Sequence, residues 1–316
     1  MTANVFDLYR GTTHDGPGMR DTVFFKGCPL ACKWCHNPEG ISFSRQVWWE
    51  GTRCIGCGSC AQTCPQSALR AGPDGISIDP DRCVACMKCV ETCPAKALQA
   101  IGRSYTPDQL AAELEKDIDY FRQFSGGVTA SGGECMAQSA FVAELFARLQ
   151  SRGITTAADT SGEAAYSAFR KILPHTDYIL YDLKLMDAEL HRQYTGADNH
   201  RILENFRQLC RDRQSGAYSF SIWVRTPLIP GATATEENIR AIARFLKPFL
   251  GTAVSRWEMC AFNNACAPKY RKLHKSWSYS ELPLLSQATG NRLRSAAVEE
   301  GCDPSLVFLT GILTDR

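Results

Sequence analysis

Residues 24–40 read FFKGCPLACKWCHNPEG, a short apolar run opening into a loop that carries Cys28, Cys32 and Cys35 at CxxxCxxC spacing. A cubane iron–sulfur cluster takes four ligands. Three thiolates on one loop leave one iron open for a substrate. Working outward, the next cysteines come in complete sets of four: Cys54, Cys57, Cys60 and Cys64, then Cys83, Cys86, Cys89 and Cys93, each within a CxxCxxCxxxCP run. Eleven of the sixteen cysteines therefore lie between positions 28 and 93. A disulfide scaffold is small, secreted and cysteine-dense throughout, which this chain is not. A zinc site uses two pairs separated by a loop, not four cysteines in one unbroken run occurring twice. Iron–sulfur ligation is the chemistry that fits, and the oxygen sensitivity of exposed clusters points to an anoxic setting.

The two complete runs are copies of one another. RCIGCGSCAQTCPQSAL aligns with RCVACMKCVETCPAKAL at a period of 29 residues, and a GPDGI turn leads into the second copy. This is an internal duplication of the kind found in bacterial two-cluster ferredoxins. There the fourth cysteine of each run ligates the other cluster, which assigns Cys54, Cys57, Cys60 and Cys93 to one cubane and Cys64, Cys83, Cys86 and Cys89 to the other. The ferredoxin-like module is expected over residues 48–101, inserted into a larger domain of residues 1–47 and 102–316. Its clusters either relay electrons to the first site or shape a docking surface.

At 316 residues the chain accommodates one α/β barrel-like domain with such an insertion. Its formal charge of +2 provides no electrostatic footprint for nucleic acid. No apolar run approaches the roughly 18 residues needed to cross a bilayer. The polar start MTANVFDLYRGTTHDG lacks the regions of a signal peptide, so a cytoplasmic protein without membrane contact is expected.

Outside the module, short apolar runs at 22–25, 128–130, 154–158, 178–183, 220–224 and 257–262 alternate with segments of helical period such as 139–149 and 236–247, the latter stopped by Pro248. A helix is expected over 107–124, with Thr106 as cap, Pro107 in the first turn and Gln109 completing a capping box. Six βα units predict an open, partial (β/α)6 barrel, with functional groups at the C-terminal ends of its strands. The cluster loop follows the first strand. SGGE (131–134), DTSG (159–162) and DLK (182–184) follow the next three.

With these motifs the chain resembles the radical S-adenosylmethionine enzymes, and among them the glycyl-radical enzyme activating enzymes. The carrying segments are THDGPGMRDTVFFKGCPLACKWCHNPEG (13–40), GGVTASGGE (126–134), DTSG, YDLKLMDAELHRQYTG (181–196) and VRTPLIPG (224–231). The resemblance implies three [4Fe-4S] clusters, with S-adenosylmethionine chelated through its amino and carboxylate groups at the open iron. One electron then breaks the S–C5′ bond, and the resulting radical removes hydrogen from a backbone glycine Cα of a partner glycyl-radical enzyme. It implies roles for individual residues as well. Gly132 and Gly133 bring the backbone to the cofactor's amino group, and Glu134 finishes that contact or holds the loop. Asp182, Leu183 and Lys184 face the methionine end and ribose. Asp159 and Thr160, with Asp182, place the carboxylate around a monovalent cation. Trp34 and His36 flank Cys35 near the adenine, and Asp15 faces the substrate peptide. A flavodoxin or ferredoxin is the expected electron donor, and the chain is expected to be monomeric.

One position departs from the family pattern. Where the pyruvate formate-lyase activator has a histidine near the adenosine, this chain reads EMCAFNNACAPKY (258–270) and places Asn263, which hydrogen-bonds but does not become cationic. CAFNN resembles the activators of arylacetate decarboxylases. Cys135, Cys210, Cys260, Cys266 and Cys302 are expected to be small buried hydrophobes. Two other functions fit parts of the sequence: radical chemistry on a small molecule, and electron carriage by a polyferredoxin.

Overall fold

A computed structural model describes residues 1–315. Thirteen strands appear in chain order. The first two are β1 (Ala3–Thr12) and β2 (Arg20–Phe25). The insertion contributes β3 (Gln46–Trp49), β4 (Leu69–Gly72), β5 (Gly75–Ile78) and β6 (Leu98–Ile101). Then follow β7 (Arg103–Tyr105), β8 (Gly127–Gly132), β9 (Thr155–Thr160), β10 (Tyr178–Asp182), β11 (Ser221–Leu228), β12 (Val254–Ala261) and β13 (Val307–Thr310). Nine of them form one sheet in the order β13-β12-β11-β10-β9-β8-β2-β1-β7.

The six expected strands run parallel from β2 to β12, each beside its predecessor in the barrel. Three additions make the sheet wider than six. β13 adds a further parallel strand, and β1 and β7 extend the other edge antiparallel. The expected helix over 107–124 starts with the anticipated capping box at Thr106 and Gln109, but breaks at a 3-10 turn over Glu115–Asp117 between helices Pro107–Leu114 and Ile118–Gln123. The helices Ser139–Gln150 and Glu236–Leu246 match expectation within a residue. Among the described residues, no helix is long and apolar enough to cross a membrane.

Side-chain alternation divides the sheet into two chemical faces. Val23, Phe25, Val128, Ala130, Ala158, Ile179, Tyr181, Ile222, Val224, Trp257 and Met259 pack into the main core with the helices. The intervening positions on β8 to β12 carry Ser131, Asp159, Asp182, Arg225, Glu258 and Cys260. Parallel strands covered by apolar layers on both sides read as continuous hydrophobic runs. Here the second face, apolar at Ala157 and Leu180, turns polar toward the strands' C-terminal ends, and that is where chemistry has to sit.

The insertion has its own small core, built from Val47, Cys60, Ala68, Leu69, Ile76, Met87, Cys89 and Leu98. Its duplication extends to the backbone. Gly56, Gly58 and Ser67 have φ of 70°, 71° and 48°, and 29 residues later Ala85, Met87 and Lys96 have 49°, 67° and 50°. At two of the three positions the same left-handed turn is thus made with glycine in one copy and with a larger residue in the other.

Candidate active site at the polar face of the barrel

The CxxxCxxC loop is held from three directions, each through its own backbone. From the end of β8, the N–H of Gly133 donates to the Phe25 carbonyl at 2.8 Å and that of Glu134 to the Gly27 carbonyl at 2.8 Å. From the motif after β10, the carbonyls of Thr195 and Tyr194 accept from the N–H groups of Ala31 (2.7 Å) and Lys33 (2.9 Å). From the segment after β12, Trp277 Nε1 donates to the Lys33 carbonyl at 2.9 Å and the Tyr270 hydroxyl to the Cys35 carbonyl at 2.8 Å. Lys269 reaches Asn37 Oδ1 at 2.8 Å and Glu39 at 2.6 Å.

The three thiols so placed lie close enough to influence one another. Burial pushes the Cys28 thiol up to about 12, with Glu134 and Cys32 adding to it. Burial also raises Cys35, as do Cys32 and Cys28. Three desolvated sulfurs that resist ionisation alone are a donor set that a cationic cluster satisfies, because metal coordination deprotonates a thiol. The N–H of Asn37 also points at Cys35 Sγ, at 3.4 Å.

Lys184 and Asp182 form an ion pair beside this loop. Burial works against the Lys184 charge, yet Asp182 and Cys32 raise its pKa, so it is cationic. Asp182, Arg225 and Glu258 lie in register on β10, β11 and β12. Arg225 sits amid carboxylates: Asp159 Oδ1 at 3.5 Å, Asp15 Oδ1 at 3.6 Å and Glu258 Oε2 at 3.6 Å. Burial raises Asp159 to about 6; Arg225 opposes that shift, while Asp182 and Asp15 add to it. Asp159 also accepts a hydrogen bond from the Ser131 hydroxyl at 2.6 Å. Asp15 is tied to the hydroxyls of Thr22 (2.8 Å) and Thr12 (3.2 Å), and its carbonyl accepts from Thr129 at 2.6 Å.

Several sequence-derived residues are occupied with the chain itself. Glu134 accepts from Thr160 Oγ1 (2.7 Å), Ser161 Oγ (2.5 Å), Ser161 N (2.9 Å) and Met136 N (3.0 Å), so its carboxylate ties the β8 loop to the β9 loop. Thr160 spends its hydroxyl on that bond. Leu183 is buried, with its carbonyl taken by Thr226 Oγ1 at 2.9 Å. A side chain on Gly132, at φ +108°, would meet the Phe25 nitrogen at 2.4 Å, and one on Gly133 would lie 2.5 Å from the carbonyls of both Gly27 and Gly40. The glycines are thus required by the approach of β8 to the cluster loop. Gly133→Ala is expected to cost about 1–3 kcal/mol by overpacking, read as a lowered urea midpoint of the apo chain; an unchanged midpoint would show the contact to be slack.

Trp34 is buried in a second core with Phe262, Tyr270, Trp277 and Tyr279. His36 faces Phe262 (6.3 Å) and Trp277 (6.5 Å). Burial lowers its pKa against the effect of a hydrogen bond to the Asn263 backbone, so its ring is neutral. Asn263 itself caps the next turn through Ala265 N at 3.1 Å.

The structure also brings in groups that the site prediction omitted: Arg225, Glu258, Ser161, Lys269 and Tyr270. Arg225 had a readable signal, a charge inside the alternating strand SIWVRTPL. Tyr270 had none, because its partner lies 235 residues away. Cys135, Cys210, Cys266 and Cys302 are buried as expected. Cys260 is not: it is on the polar face, where Arg225 acts on it.

In the insertion, two cavities collect the remaining eight cluster cysteines. Cys54, Cys57, Cys60 and Cys93 line one with Trp49, and Cys64, Cys83, Cys86 and Cys89 line another with Val47. The two sites share their sulfur contacts: Ala68 N donates to Cys64 Sγ at 3.3 Å and Ala97 N to Cys93 Sγ at 3.2 Å.

Residues 53–97 match the 4Fe-4S dicluster domain family and residues 14–65 the 4Fe-4S single cluster domain family. The trans-4-hydroxy-L-proline dehydratase activating enzyme of Clostridioides difficile is 40% identical over 285 residues, covering 89% of this chain and 91% of that protein. The pyruvate formate-lyase 2-activating enzyme of Escherichia coli K12 is 33% identical over 302 residues, covering 95% and 90%. Among solved structures, a radical SAM methyltransferase from Sphaerobacter thermophilus shares the fold with a TM-score of 0.55 at 14% identity, over 96% of this chain and 72% of that one.

Proposed function

Because this chain belongs to the glycyl-radical enzyme activating enzymes of the radical S-adenosylmethionine superfamily, we propose that Cys28, Cys32 and Cys35 hold the catalytic [4Fe-4S] cluster and that two more such clusters occupy the insertion, three in all. The chain is an oxidoreductase that activates a partner glycyl-radical enzyme. When bound, the catalytic cluster and S-adenosylmethionine supply the reductive cleavage and hydrogen abstraction that leave a radical on a backbone glycine. What carries the reading is that the three-cysteine loop comes against the Asp182–Lys184 pair, which acts on Cys32, with Lys184 acting on Cys28 as well.

The chain's own residues bind, orient and exclude water. Lys184 offers a buried cation to a carboxylate and Asp182 an acceptor to an ammonium group. The backbone at Gly132 and Gly133 lies against the cluster loop. Asp159 is raised by burial and by Asp182 and Asp15 despite Arg225, and a monovalent cation between Asp159 and Asp182 would offset that excess. Thr160 and Glu134 act by fixing the loops that carry these groups. The backbone of Trp34 and His36, with the Asn263 backbone against the His36 ring, borders the adenine side, and buried aromatic rings behind them keep water out. Asp15, held by two threonines and facing Arg225, borders the path of the substrate peptide.

The accessory module in this reading is the one expected over residues 48–101, begun two residues earlier by β3 at Gln46, and it receives electrons from a flavodoxin or ferredoxin in the cytoplasm, with the remainder as the catalytic domain of a monomer. Activators of a dehydratase and of a formate-lyase align along nearly the whole chain. Sequence likeness at this level therefore follows the shared activating chemistry rather than the partner's reaction. The test is electron paramagnetic resonance of a candidate glycyl-radical enzyme mixed anaerobically with reduced, cluster-loaded protein and S-adenosylmethionine. A glycyl doublet that requires both proteins is expected; 5′-deoxyadenosine released with no protein-borne radical in any candidate would move the substrate to a small molecule.

A further inference from the structure

Among the described residues, two buried side-chain polar atoms lack a hydrogen-bond partner, Glu39 Oε2 and Trp49 Nε1. Glu39 retains an ion pair through its other oxygen, to Lys269 at 2.6 Å. Trp49 has no such compensation, and a buried donor without a partner is destabilising. Its indole is clamped in place. A Cβ at Gly75 would lie 2.1 Å from indole Cη2 and one at Gly51 would lie 3.0 Å away, and the ring stacks on His274 at 5.8 Å and 12°. Trp49 also lines the cavity of Cys54, Cys57, Cys60 and Cys93.

The cavities differ at this point. Strand β3 crosses both, presenting Val47 to the cavity of Cys64, Cys83, Cys86 and Cys89, and two residues later, on the same strand face, Trp49 to the other. One site thus meets a hydrocarbon where its twin meets a clamped indole whose N–H is unpartnered. Cluster sulfurs accept hydrogen bonds, and such bonds raise the reduction potential because they stabilise the more negative, reduced state.

The same residue is joined to the catalytic loop through the segment that packs on it. His274, stacked on Trp49, follows the helix Ala267–Lys272, whose Tyr270 donates to the Cys35 carbonyl and whose Lys269 holds Asn37. Lys272 of that helix pairs with Glu50 at 2.6 Å and lies over the Trp48 ring at 4.8 Å. The insertion residues gripped by this strap, Trp48, Trp49 and Glu50, include one that lines the first cavity and none that lines the second.

We propose that the Trp49 indole N–H donates to a sulfur of the iron–sulfur cluster held by Cys54, Cys57, Cys60 and Cys93, raising that cluster's potential above that of its twin, and that this cluster is the one coupled through the helix Ala267–Lys272 and His274 to the catalytic loop. The inference rests on the cluster ligation proposed above. It assigns an order: the Cys64, Cys83, Cys86 and Cys89 site is distal, and the Trp49 site is proximal.

The experiment is a redox titration followed by electron paramagnetic resonance on anaerobically loaded protein. Cys57→Ala and Cys86→Ala identify which signal belongs to which accessory site. Trp49→Phe is expected to shift downward the potential of the signal lost in Cys57→Ala, and to leave the signal lost in Cys86→Ala in place. Potentials unmoved in a Trp49→Phe protein with parental iron content overturn the inference. Should Trp49→Phe not load iron, parent protein grown on tryptophan labelled with 15N at the indole answers instead: a 15N hyperfine coupling on the reduced proximal cluster is expected, and its absence overturns the assignment. Cluster ligation is checked separately in the parent by iron content and 5′-deoxyadenosine formation. Failure there removes the functional reading, whereas success there with no Trp49 effect removes this inference alone.

Discussion

Cys35→Ala will abolish 5′-deoxyadenosine formation while leaving the protein folded and about eight of about twelve irons bound, as expected when one of the three proposed cubanes is lost. The three loop cysteines act as a unit, since two thiolates with an open iron do not retain a cubane that needs three. Removing an essential member of a catalytic unit costs on the order of 10⁴-fold or more. The loop itself stays in place, because its anchors are backbone groups: the N–H groups of Ala31 and Lys33 on the Thr195 and Tyr194 carbonyls, and the Lys33 and Cys35 carbonyls on Trp277 and Tyr270. The measurement is product chromatography beside iron analysis on the reduced proteins. Residual activity above a few per cent of parent, as an order-of-magnitude limit on what a single-ligand loss permits, would show that this loop does not carry the reaction.

Arg225→Met is expected to destabilise the chain by about 3–5 kcal/mol near pH 7.5, the usual cost of leaving buried charges without their partner. Methionine keeps most of the volume, so the loss is electrostatic. Asp15, Asp159 and Glu258 each lie within 3.6 Å of the guanidinium. The penalty should depend on pH. Burial holds the Asp159 carboxyl at about 6, above its ordinary value near 3.9, with Arg225 as the chief opposing influence. A folded-state pKa above the unfolded one means that the folded state binds more protons between the two values. Stability from this group is therefore present at low pH and lost as pH rises through the folded pKa. Without Arg225 that pKa moves further up, so the variant's deficit relative to parent is largest at pH 7–8 and narrows toward pH 5. Urea unfolding at pH 5.5, 6.5 and 7.5 reads this directly. A deficit independent of pH would mean that Arg225 contributes by packing alone. Activity should fall together with stability, because Asp159 and Asp15 lose the charge that orients them.

The local signals in the sequence were strong wherever chemistry depends on close spacing. Thr106, Pro107 and Gln109 announce a helix start because a capping box is made entirely within four residues, and the helix begins there. β2, β8, β9, β10, β11 and β12 were legible for the same reason, since a short apolar run between helical segments is a property of one strand. β1 and β13 were not: Ala3–Thr12 ends in exposed polar residues, and Val307–Thr310 is four residues long, so each is a strand only because a neighbour offers a ladder.

The same division runs through the site. Cys28, Cys32 and Cys35, the two CxxCxxCxxxCP runs and the DLK pair could be read without any coordinates, because metal ligation and ion pairing within a few residues impose a spacing on the chain itself. Sequence alone thus determined the iron–sulfur chemistry, the duplication, the parallel α/β class and the family. Tertiary structure decided which of those residues face each other and which are spent on the scaffold. It turned Glu134 toward Thr160 and Ser161, set Arg225 among three carboxylates from three separate segments, and drew Tyr270 and Trp277 across the cluster loop. Such contacts join residues 26 to 244 positions apart. Their energy comes from desolvation and geometry at the point of contact, and neither leaves a periodic trace along the chain.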